Sequence, residues 1–199
     1  MKKWLIALIV IGVIIFGAYR WAVGFNNTAV RLNEDVSEAW GNVQTSYQRR
    51  NDLIGNLVKT VQGAADFERT TLREVIEARA KATATNINPE NITAEQLEQF
   101  NQAQSGLSGA LSRLLVSVER YPDLKANQNF LKLQDELTST ENTIQTARTR
   151  YNEAIKPFNN HVKTFPNSIL AGWFGFEGKP YFDSEPGAEK PVDVDFNFD

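Results

Sequence analysis

A seven-residue repeat of apolar side chains between Tyr121 and Phe165 constrains the fold of this chain more than any other feature. One column holds Phe130, Leu137, Ile144, Tyr151, Phe158 and Phe165, and a second, three residues later, holds Leu133, Thr140, Ala147 and Ala154. Side chains at this spacing form one stripe along an α-helix, which becomes buried against other helices. The repeat predicts a long core helix, and Pro157 is expected to bend its axis.

Two further amphipathic helices precede the repeat. Thr28–Ala84 contains no proline and spaces its apolar residues three and four apart, so we expect a helix that bends or breaks near Gly63. Thr93–Gln96 has the form of a capping box that opens the next helix, which Pro122 is expected to end. An Asp or Asn within residues 123–129 is expected to cap the heptad helix. Apolar stripes joined by short connectors predict an all-α antiparallel, up-and-down bundle of three or four helices.

The amino terminus has the composition of a membrane span. Two lysines precede 16 consecutive uncharged residues, Trp4–Tyr19, and the apolar run resumes after Arg20. A span of roughly 20 residues crosses the hydrocarbon core, and an arginine near its end can snorkel to the headgroups. We therefore interpret residues 4–25 as one uncleaved transmembrane helix. The alternative is a signal peptide with a cleavage site at Ala22–Gly24, but its apolar region would be unusually long.

Charge restricts both orientation and partners. Lys2 and Lys3 favour a cytoplasmic amino terminus and an extracytoplasmic bundle, although Arg20 and Arg31 weaken this bias. Three of the 21 Lys and Arg residues lie in the anchor, which leaves 18 against 24 Asp and Glu, a net charge of about −6. This acidic balance argues against nucleic acid as a partner, because phosphate binding needs clustered Lys and Arg.

The residue types that most often carry chemistry are scarce. The chain has no cysteine and one histidine, His161, which excludes thiolate chemistry and the paired Glu-x-x-His motifs of di-iron bundles. We expect His161 to lie at the surface or at a helix end. The sequence therefore predicts no catalytic residue, no metal site and no cofactor, and a protein that is not an enzyme.

A set of polar residues interrupts the apolar stripes and is the first candidate for a register-setting or interaction layer. We expect Arg50 to pair with Glu136 or Glu141 across the bundle and so to fix helix register. An anion or carboxylate clamp is the alternative. The layer comprises Arg49, Arg50, Asp52, Glu136, Thr140, Glu141 and Asn142.

The chain after Pro166 is the second candidate, because it is irregular in sequence and rich in aromatic residues. Those considered for partner docking are Trp173, Phe174, Phe176, Tyr181, Phe182, Phe196 and Phe198. A cap that seals one end of the bundle is the other interpretation. Val192–Asp199 alternates apolar and polar residues as a strand does, and would pack on the bundle or extend a partner's sheet.

Several of these segments resemble the LemA family. The resemblance rests on Arg49–Val58, Leu107–Leu114, Glu119–Asn127, Leu137–Asn142, Ala147–Asn152, Phe165–Pro166, Gly175–Phe176 and Lys179–Phe182. Gly55 departs from the pattern, since members often have proline there. The resemblance implies a bacterial protein with an amino-terminal membrane helix and a four-helix bundle, and it implies no known reaction.

Together these observations divide the chain into a membrane anchor (residues 1–25), a helical bundle (26–165) and an aromatic, acidic tail (166–199). They favour a non-enzymatic scaffold or adaptor in the bacterial cell membrane. Such a protein would present its bundle to other cell-envelope proteins, and homo-oligomerisation is left open. The alternative is a sensor or binder of a small apolar ligand or lipid.

Overall fold

The computed structural model describes residues 2–63, 67–85 and 87–183, and most of them are helical. The helices are α1 (Lys2–Gln62), α2 (Arg69–Ala84), α3 (Ala94–Val118), α4 (Pro122–Lys125), α5 (Gln128–Lys163) and α6 (Asn167–Phe174), with one 3₁₀ turn at Pro89–Asn91. The described ranges contain no β-strand. The helical bundle predicted from the apolar stripes is confirmed, with α1, α2, α3 and α5 as its long helices.

Helix α1 joins the apolar amino terminus to the bundle without interruption. It has 61 residues, which corresponds to a length of roughly 90 Å. Among the described residues, only this helix is long and apolar enough to cross a membrane, and none of its apolar window is buried by the rest of the protein. Continuous burial against other helices starts near Phe25, whose side chain is 2 % exposed.

The predicted helix boundaries agree with the structure at three places. Helix α1 ends at Gln62 and α2 begins at Arg69, so the expected break near Gly63 is present. The capping box at Thr93 is formed, with the Gln96 amide donating to the Thr93 hydroxyl and the Gln96 side chain accepting from the Thr93 amide. Asn127 caps α5 through two amides that donate to its Oδ1.

Two details differ from the sequence-based expectations, at Pro122 and at Phe165. Helix α3 already ends at Val118, and Pro122 instead occupies the first turn of α4, where a missing amide donor costs nothing. Pro157 lies inside α5 as its apolar stripe predicts, and the expected bend of the helix axis there stays a prediction. The side chain of Phe165 is 82 % exposed, because α5 ends at Lys163 and Thr164 is extended.

The core consists of two apolar clusters stacked along the bundle. The proximal core, nearest the apolar amino terminus, joins α1 from Phe25 to Tyr47 with α5 from Ile144 to Val162. The distal core joins α1 from Leu53 to Val61 with α2, α3 and the first part of α5. The heptad residues Phe130 and Leu137 lie in the distal core, and Ile144, Tyr151 and Phe158 lie in the proximal core.

Candidate functional site

Arg50 forms the centre of a buried polar cluster in the middle of the bundle. Arg50 is 4 % exposed. One terminal nitrogen donates to Oε1 of Glu141 at 2.9 Å and to Oε2 at 3.3 Å, and also lies 3.4 Å from the Ser108 hydroxyl. The other terminal nitrogen donates to the side-chain oxygen of Gln104. The guanidinium carbon lies 4.9 Å from the centroid of the Tyr47 ring.

The cluster connects all four long helices of the bundle. Arg50 comes from α1, Gln104 and Ser108 from α3, and Glu141 from α5. The amide nitrogen of the Gln104 side chain donates to the Ala82 carbonyl at 3.3 Å, which adds α2. An arginine suits this position because its planar fork can bond several acceptors at once.

The polar cluster lies at the junction of the two apolar cores. On α1, Arg50 falls between Tyr47 of the proximal core and Leu53 of the distal core. On α3, Gln104 falls in the same way between Phe100 and Leu107. A layer of hydrogen-bonding groups between apolar layers penalises any sliding of the helices, because a shifted register would leave buried donors and acceptors unpaired.

The other residues considered for the layer do not join this cluster. Arg49, Asp52 and Asn142 are exposed, and Asp52 bonds instead to Gln48 on its own helix at 3.0 Å. Glu136 is half-buried and lies 3.9 Å from Lys132, one turn away.

Thr140 is buried, but its hydroxyl donates to the Glu136 carbonyl of its own helix at 2.8 Å. It therefore fills the core without leaving an unpaired hydroxyl. The sequence-based layer omitted Gln104 and Ser108, although Gln104 occupies an apolar position in the stripe of α3, which is the signal that marks it.

The cluster has the properties expected of a polar layer that holds the helices in register. An arginine stays protonated in proteins and does not act as a general base. Its anionic partner, Glu141, has a side chain that is 52 % exposed. Among the described residues, no group of three or more His, Cys, Asp and Glu side chains lies in an arrangement that could hold a metal ion.

The carboxyl-terminal segment 176–183 is attached to α5 by two asparagines that are seven residues apart. The Lys179 amide donates to Oδ1 of Asn159 at 2.8 Å, and Nδ2 of Asn159 donates to the Lys179 carbonyl at 2.9 Å. Asn152 makes the same pair of bonds with the Phe182 backbone, at 2.8 and 2.9 Å. Each asparagine thus satisfies both backbone groups of one residue, as a neighbouring strand would.

Lys179 fastens this segment to the connector between α2 and α3. Its ammonium group donates to the Pro89 and Glu90 carbonyls at 2.7 and 2.8 Å, and lies 5.6 Å from the Phe158 ring centroid. Burial lowers the pKa of Lys179, and the charge of Glu90 offsets part of that effect.

Two of the candidate docking aromatics are core residues instead. Phe182 is 5 % exposed and stacks on Trp40 with ring centroids 5.9 Å apart. Phe176 is partly buried and packs edge-on against Phe25 and Phe158. Both side chains pack on the proximal core and are not available to a partner. The Asn152 pair holds the Phe182 backbone against α5, whereas the Phe176 amide donates to the Ala171 carbonyl of α6.

The remaining candidates of the tail divide into exposed and undescribed residues. Trp173, Phe174 and Tyr181 are exposed. Phe196, Phe198 and the alternating segment 192–199 lie outside the described residues.

His161 occupies the last turn of α5, as expected for a histidine at a helix end. Its Nε2 lies 3.0 Å from the Phe25 carbonyl, and its ring stacks on the Phe25 ring with centroids 4.7 Å apart. These contacts join the end of α5 to α1.

Comparison with known proteins shows relatives that cover most of the chain. Magnetosome protein MamQ 2 of Paramagnetospirillum magneticum (strain AMB-1) is 28 % identical over 183 residues, which cover 83 % of this chain and 67 % of the relative. Magnetosome protein MamQ of Magnetospirillum gryphiswaldense is 26 % identical over the same coverage. Protein LemA of Metamycoplasma hominis is 28 % identical over 149 residues, which cover 75 % of this chain and 64 % of the relative.

The family model of LemA matches residues 39–196. The match includes the Arg50 cluster, both asparagine pairs and α6. It agrees with the resemblance noted from the sequence segments. The chain belongs to the LemA family.

Proposed function

We propose that this chain is a non-enzymatic scaffold or adaptor in the bacterial cell membrane that presents its bundle to other cell-envelope proteins. The observation that carries the proposal is the continuity of α1, since one helix supplies both the candidate membrane span and a central core helix of the bundle. No flexible linker separates the two parts. Partners bound to such a bundle would be held at a defined height and orientation relative to the bilayer.

In this proposal residues 1–25 form the anchor, 26–165 the presenting bundle, and 166–199 the tail, of which the described residues up to 183 pack on the proximal part of the bundle. The two lysines before the span favour a bundle on the extracytoplasmic side.

The membrane-distal half of the bundle offers the surface for partners. A groove between α2 and α3 is lined by both acidic and basic side chains, among them Glu74, Glu77, Lys81 and Arg113. At the carboxyl end of α3, Val116 is 72 % exposed. Mixed charge around single exposed apolar side chains suits a transient protein contact better than a permanent one.

The alternative, a binder of a small apolar ligand, has less support. Ligand sites are usually enclosed and lined by apolar groups, whereas two depressions of the described surface, one between α1 and α2 and one between α2 and α3, are open grooves with charged walls. The relatives' names, magnetosome protein and LemA protein, state no reaction.

Photo-crosslinking in intact cells tests the proposal. A photoreactive residue at position 116 of the full chain should give reproducible cross-links to a small set of envelope proteins. Inserting a flexible Gly-Ser segment after Val23 should reduce those cross-links, because it separates the bundle from the span while the helical content is retained. The same photoreactive residue at position 153, exposed on α5 and in the proximal half, serves as the control.

Two results would count against the proposal. One is the absence of reproducible cross-links at position 116 above the level at position 153. The other is a chemical turnover that Arg50→Met abolishes while the fold is retained, since that would make the chain an enzyme.

A further inference from the structure

Helix α6 has an apolar face that the rest of the described protein does not cover. Leu170 and Ala171 point into the proximal core and are each 4 % exposed. On the other side of the helix, Ile169 is 48 % exposed and Trp173, one turn later, is 81 % exposed. Phe165, just before the helix, is 82 % exposed.

The position of α6 along α1 identifies what covers this face. At 1.5 Å per residue, a span that begins at Trp4 and crosses about 30 Å of hydrocarbon ends near Val23. Nε1 of Trp21 donates to the side chain of Asn167, the first residue of α6, at 3.3 Å. At the other end of α6, the Phe174 ring lies 6.1 Å from the Phe25 ring.

Both ends of α6 therefore contact a stretch of α1 that is only about 6 Å long. This stretch is the place where α1 passes from exposed to buried side chains, because Trp21 is 40 % exposed and Phe25 is 2 % exposed. Helix α6 consequently lies at the depth of the bilayer interface whenever α1 spans the membrane.

We propose that Ile169 and Trp173 on the exposed face of α6, together with Phe165 just before the helix, insert into the interfacial region of the same bilayer that α1 crosses. These side chains would contact lipid at the boundary between the headgroups and the acyl chains. Tryptophan and phenylalanine are the side chains that favour this region, and a short helix with one buried and one lipid-facing side is typical of it.

The termini of α6 hold this face in place. Gly175 adopts a left-handed conformation with φ of 76°, and the Phe176 amide donates to the Ala171 carbonyl at 2.9 Å, which is the bonding of a glycine-terminated helix. Phe176 then enters the proximal core. The exposed side chains are thus presented by a helix whose other side and whose end are both attached to the bundle.

Insertion gives the protein two points of attachment to one membrane. The span alone leaves the bundle free to rotate about the helix axis and to tilt. A second contact, to one side of that axis, restricts both motions. The inference thereby adds to the scaffold proposal a physical basis for a fixed orientation, but it depends only on α1 spanning a bilayer.

The absence of cysteine in the chain permits a direct test with single labels. The full chain is reconstituted in nanodiscs of pure phosphatidylcholine, with an environment-sensitive fluorophore on Ile169→Cys or, as the matched control, on Val116→Cys at the distal end. The label at position 169 should show blue-shifted emission and several-fold weaker quenching by aqueous iodide than the label at position 116. The difference should persist in high salt, because the contact is apolar.

Equal quenching at the two positions in nanodiscs would overturn the proposal. Shielding of position 169 in native membranes but not in pure lipid would also overturn it, and would assign this face to a protein partner.

A second variant separates lipid contact from folding. Phe165→Ser combined with Trp173→Ser changes two exposed side chains and leaves the core intact, so the circular dichroism spectrum should not change. The height of a label at position 116 above the bilayer, measured by energy transfer to labelled lipid, should become more broadly distributed. An unchanged distribution would contradict the proposed second attachment.

Discussion

The Arg50–Glu141 pair is asymmetric in burial, and this asymmetry predicts which of two substitutions is the more damaging. The side chain of Arg50 is 5 % exposed and that of Glu141 is 52 % exposed. Replacing Glu141 by alanine leaves a buried cation without its anion. Replacing Arg50 by methionine, which has a similar shape, leaves the Glu141 carboxylate without its cation, but that carboxylate can rotate toward solvent and stay hydrated.

The magnitudes follow from the contacts of each group. Removing one partner of a buried ion pair typically costs about 3–5 kcal/mol. Because Gln104 and Ser108 still accept from Arg50, and Glu141 is half in water, we expect about 2–4 kcal/mol for Glu141→Ala. For Arg50→Met the main loss is the unpaired Gln104 oxygen, about 1–2 kcal/mol, which the apolar side chain partly offsets.

Urea unfolding of the full chain in detergent micelles, followed by circular dichroism, measures both free energies. Glu153→Ala, an exposed acid on the same helix, is the matched control and should change stability by less than about 0.5 kcal/mol. The double variant should be more stable than Glu141→Ala alone, because it no longer contains the buried cation. A larger loss for Arg50→Met than for Glu141→Ala would refute this reasoning about burial.

Two further predictions concern the carboxyl-terminal segment. Asn159→Ala leaves the Lys179 amide and carbonyl unpaired, so it should lower stability by about 1–3 kcal/mol and speed hydrogen exchange of the Lys179 amide. Asn160 is the next residue and is exposed, so Asn160→Ala should change neither the stability nor the exchange rate. Equal exchange of the Lys179 amide in the two variants would contradict the bonding of Asn159 to Lys179. Because burial lowers the pKa of Lys179 from 10.5, the unfolded chain binds the proton more tightly. The contribution of this group to stability therefore rises with pH between the folded pKa and 10.5. Urea titrations at successive pH values should show that the free energy of unfolding rises less steeply with pH in Lys179→Met than in the unmodified chain. The same dependence on pH in both proteins would contradict this prediction.

Features of the fold that depend on local pattern were predictable from the sequence. The heptad column from Phe130 to Phe158 is buried as its spacing predicts, and the caps at Thr93 and Asn127 follow from side chains that bond within one turn. The heptad repeat wrongly predicts that Phe165 is buried. Periodicity alone takes no account of the following proline, which disfavours helix at Phe165.

Features that depend on how distant segments align were only partly predictable. The sequence narrowed the partner of Arg50 to Glu136 or Glu141, but the choice between them is set by the register of α1 against α5. The tail illustrates the same point, because Phe182 is buried and Trp173 is exposed within an aromatic stretch that has no period to separate them. Phe182 is held against α5 by the bonds of Asn152 to its backbone amide and carbonyl, and backbone groups carry no mark in the sequence.

If α1 spans a bilayer as proposed, its uninterrupted helix would act as a lever. The part from Phe25 to Gln62 would then extend roughly 55 Å beyond the interface. Transmembrane helices adopt a range of tilts, and a change of about 10° within that range would move the far end of the bundle sideways by about 10 Å. A small change in bilayer thickness, which alters the preferred tilt, is thereby converted into a displacement of molecular size at the surface where partners would bind.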